Sequence, residues 1–520
     1  MKKQIRFLKY ATLFASVLVL FASCGDDDDD VPVAPTLSID GDAGITAKTG
    51  EPFSVTLTLN APGGNKELAV YTNGGLLETV DLDADASSFT FNTQNVPADA
   101  EEGEELLYQF SLIDQADQES PRVDFTVNAA RYDLITIGAE SLYNITIPED
   151  GIVTSGTSVK LITGRNYYID APLSFENGSS FTIEEGVNVY LDVPTEPDED
   201  RVEIILNAGV DVSIMGTSSA PVVMTPSSSL TGTPEPEDWN RLFLDGITNA
   251  EIRYLRTEYA DDGLRVRGLD DSNTLEYIQT FKPGDEGFYI TDGNVNAKYL
   301  VVTDCADDGF RIGDAYAGRL QFGIGQMSEA PEDDFHLVEI RETSKPILAN
   351  FTLVGPGKDA GDVYAYRFTA TSDGRIYNSI ASSFSKRGVR IAESVTVGGT
   401  LDGPTVFAYG YIFDLNEQFF RDDTPNGTNP FQGSMDGDTF LNPFFNNVTG
   451  FDTEGRPIVE TIDGIGVNDF IPAATVTAKE SFDPSTIDSF FSSVTYVGAI
   501  ENESGDWTTG WVKNPDGTIR

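Results

Sequence analysis

The chain has 520 residues, with 84 Asp+Glu against 33 Lys+Arg and a formal net charge of −51. A surface this acidic repels phosphate backbones, which excludes nucleic-acid binding. The single histidine, His336, makes His-dependent zinc sites and Ser-His-Asp chemistry poor candidates. At 40% apolar residues the chain still has ample material for a core and is not a disordered acidic tail.

The N-terminus reads as an address. Lys2, Lys3, Arg6 and Lys9 form a basic stretch, and Ala11 to Leu20 is an apolar run too short to span a bilayer. The run ends in Leu20-Phe21-Ala22-Ser23-Cys24, which resembles the lipobox of bacterial lipoproteins. That resemblance implies cleavage after residue 23 and lipidation of Cys24, with several acyl chains holding the protein firmly to a membrane. Gly25 followed by Asp26 to Asp30 resembles the export signal of Bacteroidetes surface lipoproteins, which implies the outer leaflet of the outer membrane, facing the medium. The same five carboxylates also serve as an extended, solvated spacer. If Cys24 is lipidated, Cys305 is the one thiol left and no intrachain disulfide can form. The expected parts are a signal peptide over 1–23, an anchor and linker over 24–35, a β-sandwich over 36–130 and a solenoid over 133–520.

Residues 36–130 show short alternating strands between turn signals. Examples are Phe53-Ser-Val-Thr-Leu-Thr-Leu59, Leu107-Tyr-Gln-Phe-Ser-Leu112 and Val123-Asp-Phe-Thr-Val127, with turns at Gly63-Gly64 and Asn73-Gly74-Gly75. Six or seven period-2 strands in so short a stretch predict a β-sandwich. It resembles the Ig-like modules of bacterial surface lipoproteins, which act as spacers or as binders.

From residue 133 the pattern becomes a repeat. Ile252-Arg-Tyr-Leu leads to Asp261-Asp262-Gly263-Leu-Arg-Val266. Leu275-Glu-Tyr-Ile leads to Asp285-Glu286-Gly287-Phe-Tyr-Ile290, and Ala297-Lys-Tyr-Leu to Asp307-Asp308-Gly309-Phe-Arg-Ile312. A fourth unit joins Arg375-Ile-Tyr-Asn to Lys386-Arg387-Gly388-Val-Arg-Ile391. The first three glycines lie 24 and 22 residues apart, about one coil of a right-handed parallel β-helix. The pairs Leu264/Val266, Phe288/Ile290, Phe310/Ile312 and Val389/Ile391 then form interior ladders. Tyr254, Tyr277, Tyr299 and Tyr377 occupy equivalent places elsewhere in the coil, and each Gly supplies a positive φ at a corner. Residues 321–345 and 401–490 fit the repeat poorly and are expected as loops and a cap over the last coil. The fold class is therefore all-β, an Ig-like sandwich followed by a right-handed parallel β-helix.

The segments Thr182-Ile-Glu-Glu-Gly186, Ala220-Pro-Val-Val223, Asp238-Trp239, the Asp-Asp-Gly coils and Asp506-Trp507-Thr-Thr-Gly-Trp511 resemble a Bacteroidetes family of β-helix surface lipoproteins over residues 150–515. The resemblance implies fold and location and names no activity.

Three chemistries fit such a scaffold. Asp261, Asp262, Asp285, Glu286, Asp307 and Asp308 would lie on successive coils about 5 Å apart, close enough to recruit Ca²⁺. Asp-Gly also simply makes turns, with Arg265, Arg267 and Arg311 as counter-charges. Grouped carboxylates would also suit a Ca²⁺-dependent polysaccharide lyase or a hydrolase, although a uniform ladder offers equivalent carboxyls where catalysis needs unequal ones. Outward Tyr289 flanked by Arg265 and Arg311, and Trp239, would suit a polysaccharide, while Trp507 and Trp511 fit capping better. His336, in Glu332-Asp333-Asp334-Phe335-His336, reads as a surface-loop residue and Cys305 as a small buried hydrophobe. The expected function is non-catalytic polysaccharide capture for an outer-membrane import complex by a monomer. The alternatives are the lyase or hydrolase, and a structural or adhesive surface protein.

Overall fold

The computed structural model describes residues 33–146, 150–196, 200–331, 335–369, 371–396, 401–421, 448–451, 457–459, 470–472 and 481–520. Cys24, the acidic run after it and Glu332 to Asp334 lie outside the described residues, as does most of 422–480. The chain divides into two compact units, 1–97 with 105–128 and 98–104 with 129–520.

The first unit is two β-sheets. Thr36–Ile39, Val55–Asn60 and Ser88–Phe91 form an antiparallel three-stranded sheet. Gly44–Lys48, Val123–Ala130, Glu105–Asp114, Asn65–Thr72 and Gly75–Asp81 follow one another in a five-stranded one. Alternation sets the inner face: Val55, Leu57 and Leu59 are buried while Thr58 and Asn60 are exposed. Phe91 meets Phe110 edge-on at 5.2 Å in this core. The strand Gly75–Asp81 eludes alternation because its Leu76 and Leu77 are exposed. Its turn is nonetheless legible, since Asn73 and Gly74 both take positive φ, as a tight hairpin requires.

The second unit is a parallel β-helix of three ladders, right-handed as crossovers between parallel strands almost always are. The first ladder runs through Leu173–Phe175, Glu203–Leu206, Arg241–Asp245, Leu264–Arg267, Phe288–Thr291, Phe310–Gly313, Phe335–Ile340 and Val363–Phe368. The long strands Glu251–Glu258, Thr274–Phe281, Ala297–Thr303, Arg319–Gln326 and Ile347–Val354 each bend at one residue and serve the second and third ladders in turn. Leu264, Phe288, Phe310, Val338, Tyr366 and Val389 fall in one inward column, as the repeat predicts. Phe288 and Phe310 stack at 5.2 Å with their planes 10° apart.

Several expectations are corrected. The coil glycines do not take positive φ. A Cβ on Gly263 would meet Thr280 Cβ at 2.5 Å, and one on Gly287 would meet Val302 Cγ1 at 2.8 Å, so close approach excludes a side chain there. The positive φ belongs instead to the bend between the second and third ladders, at Tyr254, Tyr277, Tyr299, Phe322 and Asn350. Bulky residues in this region carry local strain of about 1–3 kcal/mol. Stacking offsets it in part: Tyr254, Tyr277 and Tyr299 lie 4.3 and 4.2 Å apart, nearly parallel, and Phe322 continues the stack at 5.0 Å. Tyr377 sits one place earlier, opposite Ala349, inside the core. Residues 319–326 and 335–340 are regular strands of the helix and not loops, because Leu320, Val338 and Ile340 continue the inward columns without the Asp-Gly signal.

The cap expected within residues 401–490 lies mostly outside the described residues. Residues 482–513 lie along the flank, where Asn378 exchanges hydrogen bonds with Phe482, and Gln321 with Ser492. Asn350 donates to Tyr496 and Gly498, Gln279 pairs with Lys513, and Arg256 donates to the Trp511 carbonyl at 2.7 Å. Trp507 and Trp511 cover the tyrosine stack. The strap thus satisfies outward polar groups on coils far apart in sequence.

Candidate functional site

The site is built on the first ladder and the corner that precedes it. Register puts Arg265, Tyr289, Arg311, Glu339, Arg367 and Arg390 in one outward column. Ahead of them Asp261, Asp285 and Asp307 form a second column, each amide bonded to the carbonyl of the coil before. Asp262, Glu286 and Asp308 form a third, which His336 continues. Sequence spacing placed the six carboxylates correctly and missed His336, Glu339 and Arg367, whose coils carry no Asp-Asp-Gly.

The carboxylates are not equivalent. The second of each pair is buried: Asp262 is 1% exposed, Glu286 2% and Asp308 4%. Asp261, Asp285 and Asp307 are only half-buried. Asp262 pairs with Arg241 and Glu286 with Arg311, while Glu339 holds Arg367 at 3.1 Å and Arg341 at 3.5 Å. Asp308 takes His336 Nδ1 at 3.3 Å as its partner. Burial, reinforced by Asp262 and Asp285, pushes the Glu286 carboxyl up to about 9 against the pull of Arg311. Burial pushes Asp308 to about 6 and, with the Asp308 charge, Glu339 to about 7. Asp261 and Asp307 are raised by burial first and neighbouring carboxylates second.

These shifts carry a sign. A folded state whose carboxyls hold protons that the unfolded chain has released is stabilised at low pH. The contribution of Asp308, Glu339 and Glu286 is complete below about pH 4 and is lost as pH rises through about 6, 7 and 9. In chelated buffer the melting temperature is therefore expected to fall from pH 5 to pH 9, and Glu286→Gln to flatten the upper part of that fall. A melting temperature that rises over this range would contradict the assignment.

Several expectations change here. Trp239 is fully buried and donates its indole N–H to the Glu258 carbonyl at 2.8 Å, so it presents no face to a sugar. Tyr289 remains half-exposed, but Arg265 and Arg311 lie 4.7 and 5.1 Å from its ring centroid, one from each adjacent coil. Its faces are taken and its edge and hydroxyl are what it offers. His336 is not on the surface but buried in the strand Phe335–Ile340, stacked on Tyr364 at 4.8 Å. Three of the six carboxylates converge closely enough to share a cation. Asp262, Asp285 and Glu286 bring oxygens within 4.8 Å of one another, and Arg241 and Arg311 face two of the three. Cys305 is buried, as expected, with Sγ 4.0 Å from Met327 Sδ.

Ladders of this kind define a class of protein, the parallel β-solenoids. The chain belongs to the pectate-lyase-like β-helix domain family, whose model matches residues 151–252 and 248–430. Among solved structures it is similar to a family 28 exopolygalacturonase of Yersinia enterocolitica, at 10% identity over 75% of this chain and 100% of that one, with a TM-score of 0.20. Pectate lyase PelI of Erwinia chrysanthemi is matched at 10% identity over 76% and 93%, with a TM-score of 0.15. Fibronectin(III)-like modules of Clostridium thermocellum CbhA match 20% of this chain at 17% identity and a TM-score of 0.16, and this chain spans half the length of that one. No curated protein matches. At these scores the fold rests on the ladders and the family model.

Proposed function

We propose that this chain is a polysaccharide-binding protein of the outer cell surface, anchored through lipid on Cys24 and serving an outer-membrane import complex. The N-terminal sandwich, read as Ig-like, is the stalk and the β-helix takes the glycan. The observation that carries this reading is the outward column Arg265–Tyr289–Arg311–Glu339–Arg367–Arg390, repeated at the coil spacing of about 5 Å. Guanidinium forks recur along this strip, where Arg311 and Arg367 also pair with Glu286 and Glu339 and Arg265 and Arg390 lie over Tyr289 and Tyr364. Such forks match carboxylates, so the strip favours an anionic polysaccharide over a neutral one.

The test is affinity electrophoresis of the chain from Val31 onward in gels holding anionic or neutral polysaccharides. Retardation is expected in anionic gels, weaker with added salt. Tyr289→Ala should weaken it by more than about 1 kcal/mol, because the ring holds Arg265 and Arg311 in the strip and offers its own edge and hydroxyl. Unretarded migration across the whole panel would sink the reading. Metabolic labelling with a tagged fatty acid should mark the wild type and not Cys24→Ser.

A second reading, a hydrolase or lyase, is favoured by one observation. Asp308 and Glu339 are buried, hydrogen-bonded to each other and shifted toward neutrality, the condition for proton transfer near pH 7. It requires new reducing ends or unsaturated products from the same polysaccharides, abolished by a chelator or by Asp308→Ala.

A further inference from the structure

The one histidine of the chain stands between two buried carboxylates. His336 is 2% exposed, Glu339 3% and Asp308 4%. Asp308 lies at the corner before Phe310–Gly313, and His336 and Glu339 on the next strand, Phe335–Ile340. Coil stacking brings them together: the His336 amide donates to Asp308 Oδ1 at 3.2 Å, and Nδ1 lies 3.3 Å from the same oxygen. One ligand atom from each of the three residues lies within 4.8 Å of the other two. The imidazole is held by its stack on Tyr364. Arg367 and Arg341 hold the Glu339 carboxylate from outside, as outer partners orient metal-binding carboxylates.

We infer that Asp308, His336 and Glu339 form a binding site for one divalent first-row transition metal ion of the Zn²⁺ type. The donor set decides the class. One imidazole nitrogen with two carboxylate oxygens suits Zn²⁺, Co²⁺ or Mn²⁺, whereas Ca²⁺ and Mg²⁺ take oxygen alone. A single histidine suffices because Glu339 on its own strand and Asp308 on the preceding coil supply the other two ligands. Two carboxylates buried in contact need a cation or a shared proton between them, and the metal takes the place of that proton, which leaves to solvent. Three protein ligands leave a coordination position open beside the Arg311–Glu339–Arg367 column. This inference goes beyond glycan binding, and its test contains no sugar.

The chain from Val31 onward is stripped with chelator and titrated by calorimetry with Zn²⁺, Co²⁺ and Ca²⁺. One equivalent of Zn²⁺ or Co²⁺ is expected to bind and raise the melting temperature, and Ca²⁺ at the same concentration is not. His336→Gln and Glu339→Gln should each weaken binding at least about tenfold, while surface Glu184→Gln leaves it unchanged. Melting of each variant in chelator shows whether it folds. Should His336→Gln not fold, the Co²⁺ wild type gives the same decision, since one histidine yields one paramagnetically shifted imidazole. Absence of saturable one-to-one binding, binding that survives both substitutions, or a thiolate charge-transfer band placing the metal on cysteine would each overturn the site.

Discussion

Phe310→Ala is expected to destabilise the β-helix by about 3–5 kcal/mol, the range for emptying a fully buried aromatic site. Phe310 is 0% exposed, stacked on Phe288 and edge-on to Phe351 at 5.4 Å. Its column continues through Val338, so the loss breaks contact between successive coils. In a solenoid each coil leans chiefly on its neighbours, so the damage stays local. Hydrogen exchange should show protection falling over Phe288–Thr291, Phe310–Gly313 and Phe335–Ile340 while Ser180–Ile183 and Asp211–Met215 keep theirs. Urea titration supplies the free energy. A loss under 1 kcal/mol, or one spread evenly along the chain, would mean that the stacked interior does not hold the coils together.

The second large effect lies on the flank. Glu258 is 4% exposed and accepts from Arg256 Nε at 2.6 Å, Lys513 Nζ at 3.0 Å and Thr225 Oγ1 at 3.1 Å. Burial alone would raise its carboxyl, but Arg256 and Lys513 together hold it below the ordinary range. Arg256→Met leaves this buried charge with Lys513 and Thr225 alone and also removes the donor to the Trp511 carbonyl. A cost of about 3–5 kcal/mol at pH 7.5 follows for a broken buried pair. The sign with pH is opposite to that of the carboxylate columns. With its folded value depressed, Glu258 contributes stability above its unfolded value of about 4.5, which is lost as pH falls through the folded one. In Arg256→Met only Lys513 still opposes burial, so the folded value rises and the penalty relative to wild type should shrink as pH drops from 7.5 to 5. Adding Glu258→Gln should recover much of the loss, as coupled neighbours do in a double-mutant cycle. Equal penalties at both pH values, or no recovery, would show that Arg256 acts by packing and not by charge.

The strap explains why these two sites differ. Phe310 acts inside the coils, where apolar columns need only local register. Arg256 acts outside, where Gln279, Gln321, Asn350 and Asn378 present polar groups that a parallel ladder leaves unused and that residues 482–513 satisfy. A helix of this kind is thus closed along its side by distant sequence as well as by its own coils.

Periodicity alone determined the solenoid, the inward identity of Leu264, Phe288 and Phe310, and the stacking of Asp261, Asp285 and Asp307, because a repeat of fixed length on parallel strands repeats side-chain direction. Alternation likewise determined the two-sheet character of the N-terminal unit. Only the tertiary structure decided which carboxylate of each pair is buried, that Trp239 faces inward, that Tyr289 is enclosed by two arginines, and that His336 meets Asp308 and Glu339. Those outcomes depend on which side of a corner each residue falls and on what the next coil places beside it. Side chains 28 and 31 residues apart in the chain become neighbours through one turn of the helix, and no local pattern in Phe335–Ile340 announces it.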